Sequence, residues 1–147
     1  MACNNDWCEL LAYFHSHKVE FVIVGAHALA HHGAPRATGD LNLLLNATEA
    51  NARRALLALA DFGFGSLDIN VEDLSQSGRV VQLGFPPFRI DLLTTLTGLT
   101  WDEIAAGVVP STYGDVPVGI LGRAELIRNK LATGRLQDLA DVERLEG

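Results

Sequence analysis

The sequence predicts a mixed α/β domain in which helices flank a central, partly antiparallel sheet of about five strands. Three observations lead there. Short apolar runs of β type, such as residues 21–24 and 40–45, alternate with longer segments of helical period. Two pairs of runs are joined by turn chemistry: a tight connection at residues 84–87, with two prolines, and a hairpin around Gly114-Asp115. The 147 residues are one domain's length, and a hydrophobic fraction of 48% suffices for a sizeable core. No internal repeat, low-complexity run or linker interrupts them. Residues 1–147 therefore read as a single domain, with C-terminal helices from about residue 122.

Each element has a local reason. Residues 6–17 place Trp7, Leu10, Leu11 and Phe14 at helical spacing, with Asn4, Asn5 or Asp6 as cap. Residues 21–24 (FVIV) are wholly apolar, as expected of a central strand. Gly25-Ala26 ends that run, and residues 26–32 form a short helix stopped by Gly33 and Pro35. Residues 34–39 (APRATG) are a polar turn that delivers Arg36 and Thr38 to the second strand, residues 40–45. Thr48 caps a helix to about residue 60, with Ala52, Ala55, Leu56 and Leu59 on its buried face. Residues 61–70 read as a glycine-rich loop and 71–75 as a helical turn. Residues 79–83 and 88–93 are strands. Thr100 caps a short helix with Asp102 and Glu103 in its first turn. Residues 108–113 and 116–121 form a hairpin. Residues 122–133 make a helix stopped by Gly134, and 136–145 the last helix.

Composition narrows the function classes. A formal net charge of −7 and a pI near 5.1 argue against a broad basic nucleic-acid surface. They leave room for a local basic site or an anionic ligand held through a metal. Cys3 and Cys8 are too few for a disulfide framework, and no secretory signal is visible. No run approaches the roughly 18 apolar residues of a membrane span. The expectation is a soluble cytoplasmic protein with free thiols and no membrane partner.

The chemistry concentrates on two strands. Asp40 and Asn42 stand two apart and so share a face, as do Arg89, Asp91 and Leu93. Carboxylates and an amide set into apolar strands are costly unless paired. Hard divalent cations take such oxygens, and Mg²⁺ uses one or two carboxylates with substrate phosphates. The competing reading pairs Asp40 and Asp91 with Arg36 or Arg89 as salt bridges, with Asn42 a tolerated residue. The glycine turn at Gly25 could offer backbone amides to phosphate, a signal many folds share. Arg128, Lys130 and Arg135 form either a phosphate clamp or ion pairs with Glu125, Asp138 and Asp141. His27 and His31, four apart, have zinc spacing, but no third ligand accompanies them and packing is the simpler reading. Trp7, Phe14, Phe62, Phe64 and Phe85 are expected in the core.

Taken in order, Gly25-Ala26, thirteen intervening residues, Asp40-Leu41-Asn42 and then Asp91 resemble a known signature. It is that of the nucleotidyltransferase superfamily with the DNA polymerase beta-like fold: a Gly-Gly or Gly-Ser pair, a spacer of this length, an Asp-x-Asp or Asp-x-Glu pair, and a third Asp. The wording is most similar to a small bacterial branch related to toxins of abortive-infection and toxin–antitoxin systems. Residues 33–40 (GAPRATGD) and 126–146 (LIRNKLATGRLQDLADVERLE) resemble that branch too, so the likeness runs from about residue 8 to 146.

The resemblance implies transfer of an NMP from an NTP substrate to an acceptor, with Mg²⁺ or Mn²⁺ as cofactor. Asp40, Asn42 and Asp91 would be the catalytic and metal-binding residues, Asp91 also helping to activate the acceptor. Gly25, Ala26, Arg36, Thr38, Lys130 and Arg135 would contact the nucleotide. Two positions depart from the pattern. Ala26 replaces the second Gly or Ser, and Asn42 replaces the second carboxylate. The missing charge costs on the order of several kcal/mol of cation binding at an effective dielectric near 20. The chain is then either an enzyme impaired by Asn42 or an inactive nucleotide- or protein-binding module, for example one partner of a toxin–antitoxin pair. The acceptor is a tRNA, a protein or a small molecule. An antibiotic-modifying enzyme is a further reading, although the short chain leaves little room for an acceptor domain unless a homodimer builds the site.

Overall fold

The computed structural model describes residues 5–35, 40–65, 67–85 and 88–147. Its strands are β1 (Phe21–Val24), β2 (Asp40–Leu45), β3 (Val80–Leu83), β4 (Arg89–Leu93), β5 (Val109–Tyr113) and β6 (Val116–Ile120). They form one six-stranded sheet in the order β3-β4-β2-β1-β6-β5. The sheet is mixed: β1–β2, β3–β4 and β5–β6 are antiparallel, whereas β2–β4 and β1–β6 are parallel. It exceeds the expected five because both arms of the last hairpin join it, β6 pairing with β1 at Ile23 and Ile120.

Seven helices accompany the sheet among the described residues: α1 (Asn5–Ser16), α2 (Gly25–His31), α3 (Glu49–Leu59), α4 (Val71–Ser75), α5 (Trp101–Ala106), α6 (Arg123–Thr133) and α7 (Leu136–Glu146). The caps follow the sequence. Thr48 accepts from the Asn51 amide, and Thr100 forms a reciprocal capping box with Glu103. The hairpin turns at Gly114-Asp115, with Tyr113 opposite Val116 and Gly114 at a φ of 56°.

Strand alternation sorts the side chains. Leu41, Leu43 and Leu45 of β2, with Ile90 and Leu92 of β4, are buried in the core along with Leu10, Leu11 and Phe14 of α1 and Ala52, Ala55 and Leu59 of α3. Asp40, Asn42, Arg89, Asp91 and Leu93 occupy the alternate positions and share the opposite face. Asn51 is a buried amide with a structural task. It accepts from the Glu20 amide at 2.7 Å and donates to the Glu20 and Asn46 carbonyls, each at 2.9 Å.

Three expectations are corrected. The segment after α3 is not a loop at its start: a π-helical turn, Ala60–Phe64, extends the helix until Gly63 breaks it at a φ of 114°. Phe85 is 84% exposed rather than core, whereas Trp7 and Phe14 are buried and Phe62 and Phe64 pack partly buried against the core. Cys8 is disulfide-bonded, not a free thiol; Cys3 lies outside the described residues. Among the described residues no helix is long and apolar enough to cross a membrane.

Candidate functional site

The register between β2 and β4 assembles the polar face. Asp40 stands opposite Arg89 and Asn42 opposite Asp91. On the other side, Asn42 stands opposite Val24, the last residue of β1. The chain then turns sharply at Gly25, whose φ of 71° lies in the left-handed region. A Cβ at Gly25 would come within 2.5 Å of Asn42 Nδ2. The Gly25 backbone therefore presses directly on the Asn42 amide, a contact that only glycine permits.

Arg89 holds both carboxylates. Its Nη2 lies 2.6 Å from Asp40 Oδ2 and 3.4 Å from Asp91 Oδ2. Its Nε lies 3.2 Å from Asp91 Oδ1, close enough for charge pairing but not aligned as a hydrogen bond. Burial pushes the Asp91 carboxyl above the usual carboxylate range, Arg89 opposes that shift, and Asp40 adds to it. Asn42 Oδ1 and Asp91 Oδ1 are buried oxygens with no hydrogen-bond partner. Such orphan acceptors are uncommon in folded proteins, and an oxygen-seeking cation would satisfy them. The donor set thus fits one divalent ion, with two carboxylates and an amide oxygen. Among the described residues no cluster of three His, Cys, Asp or Glu offers an alternative.

A cleft of about 390 Å³ opens beside this face, and Val24, Gly25, Ala26, Asn42, Lys130 and Arg135 are among the residues that line it. Asn129 and Thr133 of α6 and Thr95 and Thr97 from the turn after β4 complete its polar wall. That turn is pinned to α6: Asn129 donates to the Thr97 carbonyl at 3.0 Å, and Arg128 to the Gly98 carbonyl at 3.2 Å. The basic residues of the wall are organised by two buried acids of α7. Lys130 Nζ lies 3.4 Å from Asp138 Oδ1 and 3.1 Å from Asp141 Oδ2. Asp138 also accepts from Arg135 Nε at 2.7 Å and from Thr133 Oγ1 at 2.6 Å. The Arg135 hydrogen bond, aided by that of Thr133, holds Asp138 far below the usual carboxylate range despite its burial.

Five of the sequence-selected residues, Gly25, Ala26, Asn42, Lys130 and Arg135, therefore meet at one cleft, with Asp40 and Asp91 on the same sheet face as Asn42. Arg36 and Thr38 lie outside the described residues. Arg128 does not join the basic group: it pairs with Glu103 at 2.7 Å. Lys130 and Arg135 realise the ion-pair alternative while still facing the cleft. His27 is not poised for zinc, since its Nδ1 bonds Tyr113 Oη at 2.9 Å and burial lowers its pKa. Sequence reading treated Arg89 only as a salt-bridge candidate and missed its bridging of both acids. The period of FRIDLL puts Arg89 on Asp91's face and signals that pair alone; the reach to Asp40 depends on the register between β2 and β4.

No family model matches the chain, and no curated protein matches it. Solved structures do. The fold is similar to a putative nucleotidyltransferase from Thermotoga maritima, at 14% identity and a TM-score of 0.62, over 92% of this chain and 87% of that one. It is also similar to the lincosamide antibiotic adenylyltransferase LnuA in a lincomycin-bound structure, at 14% identity and a TM-score of 0.59, over 99% of this chain and 98% of that one. The chain therefore has the fold of the nucleotidyltransferases.

Proposed function

We propose that the chain transfers a nucleotidyl group from an NTP to a hydroxyl of a small-molecule acceptor. The observation that carries this reading is the convergence of Gly25, Ala26, Asn42, Lys130 and Arg135 on one cleft beside the Asp40–Asp91 face. The fold likeness supports the transfer. The small acceptor is supported by the lincosamide adenylyltransferase, of whose chain 98% is covered by this one. That coverage, 99% of this chain and 98% of the other, supports reading a small acceptor for a chain of this length.

In this reading the triphosphate lies along the cleft between the Gly25 turn and Lys130 and Arg135, whose charges face phosphate oxygens. Asp40, Asp91 and the Asn42 carbonyl oxygen would hold Mg²⁺, which supplies positive charge to the α-phosphate and to the leaving pyrophosphate. Asp91 takes the proton from the acceptor hydroxyl. The acceptor oxygen bonds to the α-phosphorus as the bond to pyrophosphate breaks. The test is label transfer from α-labelled NTPs to a panel of hydroxyl-bearing small molecules, lincosamides first, with Mg²⁺. An Asp91→Asn variant that still binds NTP should lose the transfer. No NTP binding in either form would sink the proposal.

A second reading is favoured by two specific features: the uncharged Asn42, and Arg89 paired to both acids. Under it the domain binds nucleotide without turnover, alone or with a protein partner. Nucleotide binding without transfer in the native chain, and transfer restored by Asn42→Asp, would select this reading.

A further inference from the structure

Arg89 sits between the two carboxylates that the proposed function assigns to the cation, and the inference below rests on that assignment. One guanidinium reaches Asp40 Oδ2 at 2.6 Å and Asp91 Oδ1 at 3.2 Å. Its side chain is 29% exposed and that of Asp91 13%, so the pairing is only partly weakened by water. Two carboxylates against one guanidinium leave a single net negative charge, with Asn42 adding none. A dication entering here would meet a fixed positive charge at contact distance.

The Asp40 side of the pairing is a 2.6 Å hydrogen bond from Arg89 Nη2, but the Asp91 side is poorly satisfied. Arg89 Nε, Asp91 Oδ1 and Asn42 Oδ1 are all buried without an aligned partner. Charge holds the cluster together while its polar atoms remain unmet, which favours exchange for a better partner. A guanidinium fork suits phosphate oxygens as well as carboxylates.

We infer that Arg89 is a built-in counter-ion that closes the Asp40–Asp91 site to free divalent cations, so that a cation enters only when Arg89 swings away, in company with phosphate. Arg89 is thus a positioning residue that makes cation binding depend on nucleotide.

The test is Mn²⁺ binding, followed by electron paramagnetic resonance of the free ion without nucleotide. Arg89→Met should bind Mn²⁺ at least about tenfold more tightly than the native chain, a lower bound set by the dielectric of water. Arg89→Lys, which keeps the charge, should stay within about threefold of the native chain. Equal affinity in native chain and folded Arg89→Met overturns the inference and leaves the cation assignment standing. Absence of Mn²⁺ binding in the native chain, Arg89→Met and Asn42→Asp alike overturns both. A measurement on the native chain covers the case where Arg89→Met fails to fold. The Arg Nε–H resonance of Arg89 should be unmoved by Mg²⁺ alone and shifted by Mg²⁺ with ATP; a shift with Mg²⁺ alone refutes the counter-ion role.

Discussion

Replacing Gly25 by alanine tests how the turn and the candidate ligand strand are locked together. Two terms add. At a φ of 71° an L side chain pays the left-handed penalty, roughly 1–2 kcal/mol. The new Cβ would also lie 2.5 Å from Asn42 Nδ2 and 3.2 Å from Asn42 Cβ and Cγ, so the amide must shift. Overpacking of that kind costs roughly 1–3 kcal/mol. The sum is roughly 2–5 kcal/mol, which lowers the Tm of a chain of 147 residues by roughly 5–15 °C. Thermal and urea unfolding of Gly25→Ala, Asn42→Ala and the double variant separate the terms. With Asn42 truncated to alanine the Nδ2 and Cγ contacts are gone and the 3.2 Å approach to Cβ remains beside the left-handed penalty, so the double-mutant cycle should give a coupling of roughly 1–3 kcal/mol. A coupling below about 0.5 kcal/mol would show that the two residues are not in steric contact, and the packing of turn on ligand strand would fall with it.

Asn42→Asp should lower the Tm in EDTA, because it sets a third carboxylate beside Asp91, and Mg²⁺ together with ATP should restore the loss; equal Tm values in ATP with and without Mg²⁺ would count against a cation site. The Asp138 carboxyl is held below its unfolded value, so its stabilisation is complete above about pH 4 and is lost as pH falls toward the folded value. Urea midpoints measured against pH should therefore fall steeply at the acid end in the native chain and more gently in Asp138→Asn. Burial pushes Tyr113 up to about 12, so its neutral form stabilises the fold below the unfolded value near 10 and that contribution is lost as pH rises toward 12. Ultraviolet titration should show a phenolate step at about 12 that vanishes in Tyr113→Phe, and that variant should lose about 1 kcal/mol with the His27 hydrogen bond.

How much of this was legible in the sequence depended on whether the cause was local. The alternation of DLNLLL and FRIDLL put Asp40 and Asn42 on one face and Arg89 and Asp91 on another, and the sheet then merged the two. Thr48, Thr100 and Gly134 marked helix ends because capping depends on near neighbours. Register across strands is not local, so the bridging by Arg89 of an acid on its own strand and one on β2 was beyond periodicity. The same holds for Arg128, which lies two residues from Lys130 yet turns to Glu103 because the α5 helix passes on that side. Phe85 was misplaced because an aromatic in a hairpin link has no period to reveal its exposure. The convergence of α6 with the Gly25 turn was suggested by the family resemblance alone, since no spacing rule connects residues so far apart.

The sheet face that carries Asn42 and the basic wall of the cleft have the same electrostatic construction. At the Arg89 end a guanidinium lies between two carboxylates, and at the Lys130 end an ammonium lies between Asp138 and Asp141. Among the described residues, Arg89, Lys130 and Arg135 are each already met by a carboxylate, so neither end presents a strong bare field. The two ends differ in burial and in satisfaction. Asp138 and Asp141 are about 1% exposed, and Asp138 is multiply hydrogen-bonded, so the basic wall is fixed in place. The Arg89 cluster is more open and leaves buried oxygens unmet. Exchange of partners should therefore begin at the Arg89 end, while the Lys130 end stays rigid and, in the proposed function, would be the rest for phosphate. That asymmetry predicts which substitution is merely destabilising. Asp138→Asn strips a partner from Lys130 and Arg135 and should cost roughly 3–5 kcal/mol of stability. Arg89→Met should instead change cation affinity at a smaller cost in stability. Equal stability losses in the two variants would mean that both ends are structural, and the cleft would lose its direction.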